Sequence, residues 1–178
     1  YGTGFLATFD RRRYIVTACH VLDYLGTAKY DKVTFLYSRL GQSKEVPLSE
    51  VVDMSGLLQK KELDVAVLPV TALPQDIEAP VFELAPRSMA SNATVSIIHH
   101  PNGDIAKVDA GAKVTATTAA RVFHALETDD GSSGAPVFVA KEGEAKEMEA
   151  HVVAVHCGTS GKGGNYGAPI GKVVAWLK

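Results

Sequence analysis

The sequence has few cysteines, little net charge and no long apolar run, and each shortage excludes a class of protein. Only 2 of its 178 residues are cysteine, too few for a disulfide framework, so we expect a reducing, intracellular setting. A formal net charge of −2 gives no electrostatic reason to expect nucleic acid as a required partner. No apolar stretch is long enough to span a membrane, and no signal peptide is visible. We expect neither a metal nor a cofactor.

Short apolar stretches separated by turn residues indicate an all-β protein. With 46% hydrophobic residues, the chain is long enough to bury a core as one folding unit of two small halves. Predicted strands fall into two sets, at 4–9, 14–18, 32–37, 46–52 and 65–69, and at 94–99, 107–116, 122–127, 135–140, 151–155 and 166–170. We predict two antiparallel β-barrels, at 1–75 and 94–178, joined by a linker at 76–93 and closed by a short helix at 173–177.

A serine lies between glycines in the segment GSSGAPV at 131–137. Gly131 allows a tight turn in which its own N–H and that of Ser133 point at one spot, where a negatively charged oxygen would be stabilised. Gly134 leaves space beside the serine hydroxyl. Such turns are common in all-β proteins, so the segment needs a base and an acid elsewhere in the chain. With those, it predicts Ser133 as a nucleophile and Gly131 and Ser133 as its oxyanion hole.

A candidate base follows a predicted strand. The segment TACH at 17–20 comes after a β-branched and aromatic run, and this pattern favours His20 over the other histidines. His99 and His100 precede a Pro-Asn-Gly turn, while His124 lies on a predicted strand and His151 starts one. None of these four has a comparable setting.

A candidate acid heads a predicted buried strand. Asp64 precedes VAVL at 65–68, a run without alternation that is typical of a strand packed on both faces. A carboxylate there is partly buried and needs a hydrogen-bonded partner, which His20 would provide. Asp53 lies in a looser loop and is the reserve candidate, whereas Asp23 is too near His20 along the chain. The order histidine, aspartate, serine is that of chymotrypsin-like enzymes.

The serine motif differs from the nucleophile elbow of α/β-hydrolases. That motif needs a glycine two places after the serine, where this chain has Ala135. It also needs an acid and then a histidine downstream, but the acids after Ser133 fall in a charged run at 141–147. The hydrolase interpretation is therefore disfavoured.

On these segments the chain resembles the chymotrypsin-like serine proteases of positive-strand RNA viruses, of the sobemovirus, polerovirus, astrovirus and arterivirus kind. The matching segments are GTGFL at 2–6, TACH at 17–20, LDVAV at 63–67, GSSGAP at 131–136 and VAVHCG at 153–158. The resemblance implies an endopeptidase with a triad of His20, Asp64 and Ser133 and a viral polyprotein as its substrate. It also implies a domain excised from that polyprotein in the host-cell cytoplasm, with membrane-anchoring regions on its flanks.

The resemblance places Thr128, His156 and Asn165 in the primary specificity pocket and implies cleavage after glutamate or glutamine. A hydroxyl, an imidazole and a carboxamide supply donors for a carboxylate or amide oxygen. Glu127 lies near the pocket floor by the same resemblance, where it would repel a glutamate. Neighbouring side chains of a strand face opposite sides, so if Thr128 points into the pocket, Glu127 points away from it. We adopt this interpretation.

Digestive serine proteases differ from this chain immediately before the nucleophile. They carry an aspartate there, which receives a new N-terminus on activation, whereas this chain has Ser132. We therefore do not expect activation by N-terminal insertion, and the loop around Ser133 must be held by local packing or by substrate. Because the nucleophile is a serine, Cys19 and Cys157 are expected to be packing residues.

Two other functions remain open on the sequence. A cellular housekeeping protease of the Deg type also has Gly-x-Ser-Gly on this fold, although the asparagine usual before the serine in those enzymes is absent here. A protease-like binding module without turnover would keep the fold, because fold alone does not establish activity. Labelling by a serine-directed fluorophosphonate separates an enzyme from a module, and a peptide library separates the two kinds of protease.

Overall fold

The computed structural model describes residues 1–23, 32–37, 42–74, 80–87, 89–142, 148–161 and 164–178. The strands in these ranges are β1 Phe5–Phe9, β2 Arg12–Thr17, β3 Lys32–Tyr37, β4 Gln42–Pro47, β5 Leu58–Lys60, β6 Val65–Pro69, β7 Val81–Glu83, β8 Thr94–His99, β9 Lys107–Thr117, β10 Val122–His124, β11 Pro136–Glu142, β12 Met148–Thr159 and β13 Asn165–Pro169. The α-helices are α1 Cys19–Leu22, α2 Leu48–Val51 and α3 Ile170–Leu177, and short 3-10 helices span Met54–Gly56 and Pro101–Gly103.

The N-terminal half is built on a five-stranded sheet in the order β5-β6-β2-β1-β7, beside a two-stranded ribbon of β3 and β4. The β1–β2 hairpin turns at Asp10 and Arg11, which both have positive φ, as the tightest hairpin turns require. β2 pairs with β6 and so fixes the ends of these two strands side by side. His20 follows β2 and Asp64 precedes β6, so this pairing brings the two residues together.

The C-terminal half is a closed six-stranded barrel in the order β10-β13-β12-β11-β8-β9. Alternate residues of β8, among them Val95 and Ile97, point into a core shared with β9, β11 and β12. β11 lies between β8 and β12 and begins three residues after Ser133. The barrel therefore holds the serine segment against its rim.

A second apolar cluster joins the two halves. β1 contributes to two clusters by alternation: Phe5 and Ala7 pack at the interface with the barrel, while Leu6 faces the core of the N-terminal half. From the other half, Phe138 and Val155 enter the interface cluster, and α3 adds Ile170, Val173 and Val174 from one face. This shared core sets the position of the serine segment relative to His20.

The predicted all-β fold with a short C-terminal helix is confirmed. Of the two predicted barrels, the C-terminal one is closed, while the described strands of the N-terminal half form an open sheet and a ribbon. The predicted strand at 46–52 is wrong: Pro47 precedes a one-turn helix, α2, whose Leu48 and Val51 are buried three residues apart. The segment predicted as a linker contains β7, which pairs in parallel with β1. The closing helix begins at Ile170, three residues before the predicted start. No helix of the described residues is long and apolar enough to cross a membrane.

Candidate active site

His20 and Asp64 form a closely bonded pair at the end of the N-terminal sheet. The Nδ1 atom of His20 lies 2.6 Å from Oδ2 of Asp64, and the backbone N–H of His20 donates to Oδ1 over 3.1 Å. The N–H of Cys19 donates to the carbonyl of Asp64, so the one-turn helix α1 is tied to the aspartate by three hydrogen bonds. Asp64 takes up a positive φ of 56°, an uncommon conformation for a residue with a side chain.

The carboxylate fixes the protonation behaviour of the imidazole. The hydrogen bond to Asp64 raises the pKa of His20, and partial burial opposes it. With the aspartate on Nδ1, the proton-accepting nitrogen of a neutral His20 is Nε2. Asp53, the reserve acid, instead accepts hydrogen bonds from the N–H and hydroxyl of Ser55 at an exposed turn. The structure thus brings Asp64, and not Asp53, to His20.

Ser133 lies where the two halves meet. Its carbonyl accepts a hydrogen bond from the N–H of Thr3 over 2.8 Å, and the next N–H, that of Gly134, donates to the carbonyl of His156 on β12. A Cβ on Gly134 would clash with the carbonyl of Thr3 and lie 2.9 Å from the nitrogen of Ala18, two residues before His20. Only glycine lets the serine segment approach the His20 segment this closely.

The hydroxyl of Ser133 points towards the carbonyl of Cys157, at 3.5 Å. Among the described residues it makes no hydrogen bond to the imidazole of His20. Catalytic hydrogen bonds often tighten only when substrate is bound, so this geometry is compatible with transfer of the serine proton to His20.

Two backbone N–H groups beside the serine hydroxyl are unpartnered. The N–H groups of Ser132 and Gly134 donate to Asp129 and His156, but those of Gly131 and Ser133 have no acceptor among the described residues. These two are the predicted oxyanion donors. The carbonyl of Asp130 accepts from the N–H of Asn102 over 2.6 Å, and in a trans peptide the N–H of Gly131 must point the opposite way. The peptide is therefore held in the orientation that presents the Gly131 donor.

A buried pair of histidines lies behind the serine. Nδ1 of His156 is 3.3 Å from Nε2 of His124, and the two side chains are only 2% and 1% exposed. Burial lowers the pKa of His156 to about 3 and that of His124 to about 4, so both imidazoles are neutral at neutral pH. Nε2 of His156 has no partner among the described residues, which leaves it available to a ligand.

Asn165 lies on β13 beside this pair, and Thr128 follows the end of β10 by four residues. His124 and Asn165 face each other across the β10–β13 pairing, and Nδ2 of Asn165 donates to the carbonyl of Leu126. One N–H of Asn165 is thus already used, while its Oδ1 is buried without a partner among the described residues. Thr128 is partly buried and Glu127 is exposed, but the strand predicted at 122–127 ends at His124, so both residues lie beyond it and strand alternation does not orient them.

The two cysteines are free and buried. Burial raises the pKa of Cys157 to about 12 and that of Cys19 to about 11, so both thiols stay protonated and unreactive at neutral pH. In the part of the chain that the structure describes, no three His, Cys, Asp or Glu side chains come together as metal ligands would.

Sequence reasoning did not find the roles of His124, His99 and Thr3. His124 lies on a strand, β10, as predicted, and it contacts His156 ring to ring at a centroid distance of 5.3 Å. Nδ1 of His99 lies 2.7 Å from the hydroxyl of Ser132, and the hydroxyl of Thr3 donates to the carbonyl of Gly131. These contacts depend on strand register, which no local sequence pattern reports.

The fold and the geometry of His20, Asp64 and the serine segment define a chymotrypsin-like serine protease. Residues 2–146 match the family model described as the trypsin-like peptidase domain, and the chain belongs to that family. No curated protein sequence matches it.

Solved structures share the fold over almost the whole chain. The active form of the Rv3671c protease from M. tuberculosis is 19% identical, with a TM-score of 0.65 over 99% of this chain and 71% of that one. An inactive form of the same protease is 18% identical, with a TM-score of 0.61 over 99% of this chain and 81% of that one. Deg5 is 19% identical, with a TM-score of 0.64 over 98% of this chain and 80% of that one.

Proposed function

We propose that this protease is an endopeptidase that cleaves a viral polyprotein at extended sites, after glutamate or glutamine, with Ser133 as its nucleophile. The observation that carries the catalytic part is the short Asp64–His20 hydrogen bond together with the N–H groups of Gly131 and Ser133, which have no acceptor among the described residues. A base, its orienting acid and an oxyanion hole are the parts that acyl transfer requires.

The reaction follows from these roles. Nε2 of His20 takes the proton of Ser133 as the serine oxygen attacks the scissile carbonyl, and Asp64 stabilises the imidazolium that forms. The N–H groups of Gly131 and Ser133 hold the oxyanion of the tetrahedral intermediate. His20 then gives the proton to the leaving amine, and water, activated by the same imidazole, releases the acyl group from Ser133.

The histidine pair supports the preference for glutamate or glutamine. The backbone of β12 at His156 and Cys157 bonds to Gly134 and Ser133, so this strand flanks the side chain that precedes the scissile bond. The Nε2 atom of His156 and the hydroxyl of Thr128 are the donors for the substrate oxygen, with Asn165 contributing its remaining polar groups.

His124 decides whether His156 donates or accepts. If Nε2–H of His124 donates to Nδ1 of His156, the remaining nitrogen of His156 carries a proton and donates to the substrate. In the opposite arrangement Nε2 of His156 is a bare acceptor, which repels a carboxylate. A pocket for glutamate therefore needs the first arrangement, with His124 fixing the tautomer of His156.

The viral assignment rests on the resemblance of five segments to the viral proteases, VAVHCG at 153–158 among them. The substrate is then a stretch of polyprotein in extended conformation, in the cytoplasm of the host cell. The free, buried cysteines suit such a reducing setting.

Cleavage of a peptide library, followed by mass spectrometry of the products, tests the substrate. Products that end in glutamate or glutamine support the proposal, and cleavage after apolar residues contradicts it. Libraries with glutamate, glutamine, aspartate or leucine at a single position make the comparison quantitative, because a site built for a polar side chain discriminates steeply against an apolar one.

A cellular housekeeping protease of the Deg type is a second candidate. This alternative is supported by the fold that the chain shares with Deg5. At 19% sequence identity, the similarity supports the shared fold and nothing more. An apolar preference in the peptide library would select it over the viral assignment.

A further inference from the structure

Three consecutive residues of the serine segment are held by the end of strand β8 and the turn after it. The carbonyl of Asp130 accepts from the N–H of Asn102. The carbonyl of Gly131 accepts from the hydroxyl of Thr3, which itself accepts from the N–H of His100. We call residues 129–134 the oxyanion loop, because they carry the N–H groups of Gly131 and Ser133, the proposed oxyanion donors, which have no acceptor among the described residues.

The third residue, Ser132, is held by a contact between two buried side chains. Ser132 is fully buried, and its hydroxyl lies 2.7 Å from Nδ1 of His99, which is 5% exposed. Ser132 stands between Gly131 and Ser133, so whatever fixes its side chain fixes the peptides on both sides of it. His99 ends β8, a strand of the closed barrel, and is a rigid anchor for that side chain.

The hydrogen bonds of Ser132 determine where the proton of His99 must be. The hydroxyl oxygen already accepts from the N–H of Asp129 over 3.1 Å. Its single proton then needs an acceptor, and Nδ1 of His99 is the one within reach among the described residues. A protonated Nδ1 would leave the buried hydroxyl proton without an acceptor, at the cost of an unsatisfied polar group.

We propose that His99 is a positioning residue for the oxyanion hole: its neutral imidazole accepts a hydrogen bond from Ser132 and thereby holds the N–H groups of Gly131 and Ser133 in place. The proposal rests on the proposed role of Ser133 as the nucleophile. The uncharged pair of His99 and Ser132 then keeps the oxyanion loop in its active arrangement. In digestive serine proteases an inserted N-terminus performs this task.

The surroundings of His99 favour the neutral form. Burial lowers the pKa of His99, and the positive charge of Lys107 acts in the same direction. Asp109 on β9 and Asp129 in the loop oppose them. The neutral imidazole is therefore the form present at neutral pH, where the oxyanion hole has to work.

The tautomer of His99 is measured directly by nitrogen-15 NMR of the wild-type protein labelled at histidine. We expect a neutral ring with its proton on Nε2 and a hydrogen-bonded Nδ1, and in Ser132→Ala we expect the Nδ1 resonance to move to the position of a free acceptor. A proton on Nδ1, or a charged ring at neutral pH, contradicts the proposal. This readout does not depend on activity, so it stands even where the proposed substrate fails.

The functional test compares His99→Leu with His99→Gln, whose amide oxygen restores an acceptor. Loss of one oxyanion donor slows related enzymes by about a hundredfold to a thousandfold, so we expect His99→Leu to lower kcat by about tenfold to a hundredfold. KM should change by less than about threefold, because the lost interaction is made in the transition state. Labelling of Ser133 by a small fluorophosphonate should slow in parallel, and His99→Gln should recover most of both rates.

Val95→Ala is the matched control, since it removes buried apolar atoms from the same strand away from the loop. We expect it to lower the melting temperature without changing kcat per labelled site. If His99→Leu behaves like Val95→Ala, or if His99→Gln is no better than His99→Leu, the positioning role is wrong. Ser132→Ala and His99→Leu should also be non-additive in kcat, and additive losses would contradict the proposed contact.

Discussion

At the scale of single residues, the pair of His20 and Asp64 dominates the chemistry of the site. The histidine side chain is 45% exposed and the aspartate 29%, so substrate can reach the imidazole while the carboxylate stays screened behind it. Asp64 reaches His20 from a backbone conformation that most residues avoid, which the three hydrogen bonds to α1 hold in place.

Asp64→Asn should lower kcat on the order of a thousandfold or more, because the amide holds the wrong tautomer of His20. The carboxylate raises the pKa of His20, so its removal should also shift the acidic limb of the residual kcat/KM profile to lower pH. Asp53→Asn is the control and should leave both quantities unchanged, since among the described residues the side chain of Asp53 bonds only to Ser55 in its own turn. Greater damage from Asp53→Asn would reverse the assignment of the acid.

His156→Ala should lower kcat/KM for substrates with glutamate or glutamine before the scissile bond and flatten the preference among side chains. Labelling of Ser133 by a small acylating reagent should persist. The alternative is that His156 only supports the barrel, so thermal stability is measured beside selectivity. A variant that melts early but keeps the wild-type preference would remove His156 from the pocket.

The preference for glutamate over glutamine should increase as pH falls. Burial holds the pKa of His156 near 3 in the free enzyme, and a bound carboxylate raises it by favouring the imidazolium. Only the glutamate complex gains from that proton, so its kcat/KM relative to glutamine rises in acid. A ratio that stays constant or falls towards acid pH, measured with matched peptides, would show that His156 takes up no proton when a glutamate is bound.

At the scale of secondary-structure elements, the site depends on how closely two loops approach. Gly134 has a φ of +90° and packs against Thr3 and Ala18, while Gly111 has a φ of +86° at a bulge in β9 with nothing near its Cβ position. Substituting each glycine by alanine therefore separates the cost of positive φ, which both share, from the cost of a steric clash, which only Gly134 has.

Gly111→Ala should cost about 1–2 kcal/mol, the usual penalty for a side chain at positive φ. Gly134→Ala should cost clearly more and abolish peptide hydrolysis, because its Cβ pushes the serine segment away from the His20 segment. Urea unfolding of both variants measures the difference. Equal losses of stability with retained activity in Gly134→Ala would mean that the close approach is not required.

The candidates for the triad could be predicted because each lies beside a local signal: a strand end before His20, an unbroken apolar run after Asp64 and glycines around Ser133. The short strand β7 could not, since three residues give no periodicity and its pairing with β1 is long-range. The pairing of His124 opposite Asn165 depends on the register of β10 on β13, which tertiary packing sets.

At the scale of the whole molecule, three buried histidines tie stability to pH. Burial lowers the pKa of His99, His124 and His156 below the value of 6.5 expected in the unfolded chain. Between 6.5 and the lowered values the unfolded chain binds more protons than the folded one, so folding stability falls as pH falls. His20 acts in the opposite sense, because its folded pKa is raised.

The melting temperature should therefore fall steadily as the pH drops from 6.5 towards 4, the lowered pKa of His124. His124→Phe should weaken this dependence, since the variant has one buried titrating group fewer, whatever its stability at neutral pH. Calorimetry across this range supplies the slope. An unchanged slope in the variant would show that His124 is not the neutral, buried group described above.

Mass spectrometry of the fluorophosphonate-labelled protein shows whether Ser133 is the nucleophile of a working protease. We expect one adduct, on the proteolytic fragment that contains Ser133, and none in Ser133→Ala at an unchanged melting temperature. In His20→Ala, labelling should slow on the order of a thousandfold or more. An adduct on another serine, or peptide hydrolysis by Ser133→Ala within about tenfold of the wild type, would contradict the account.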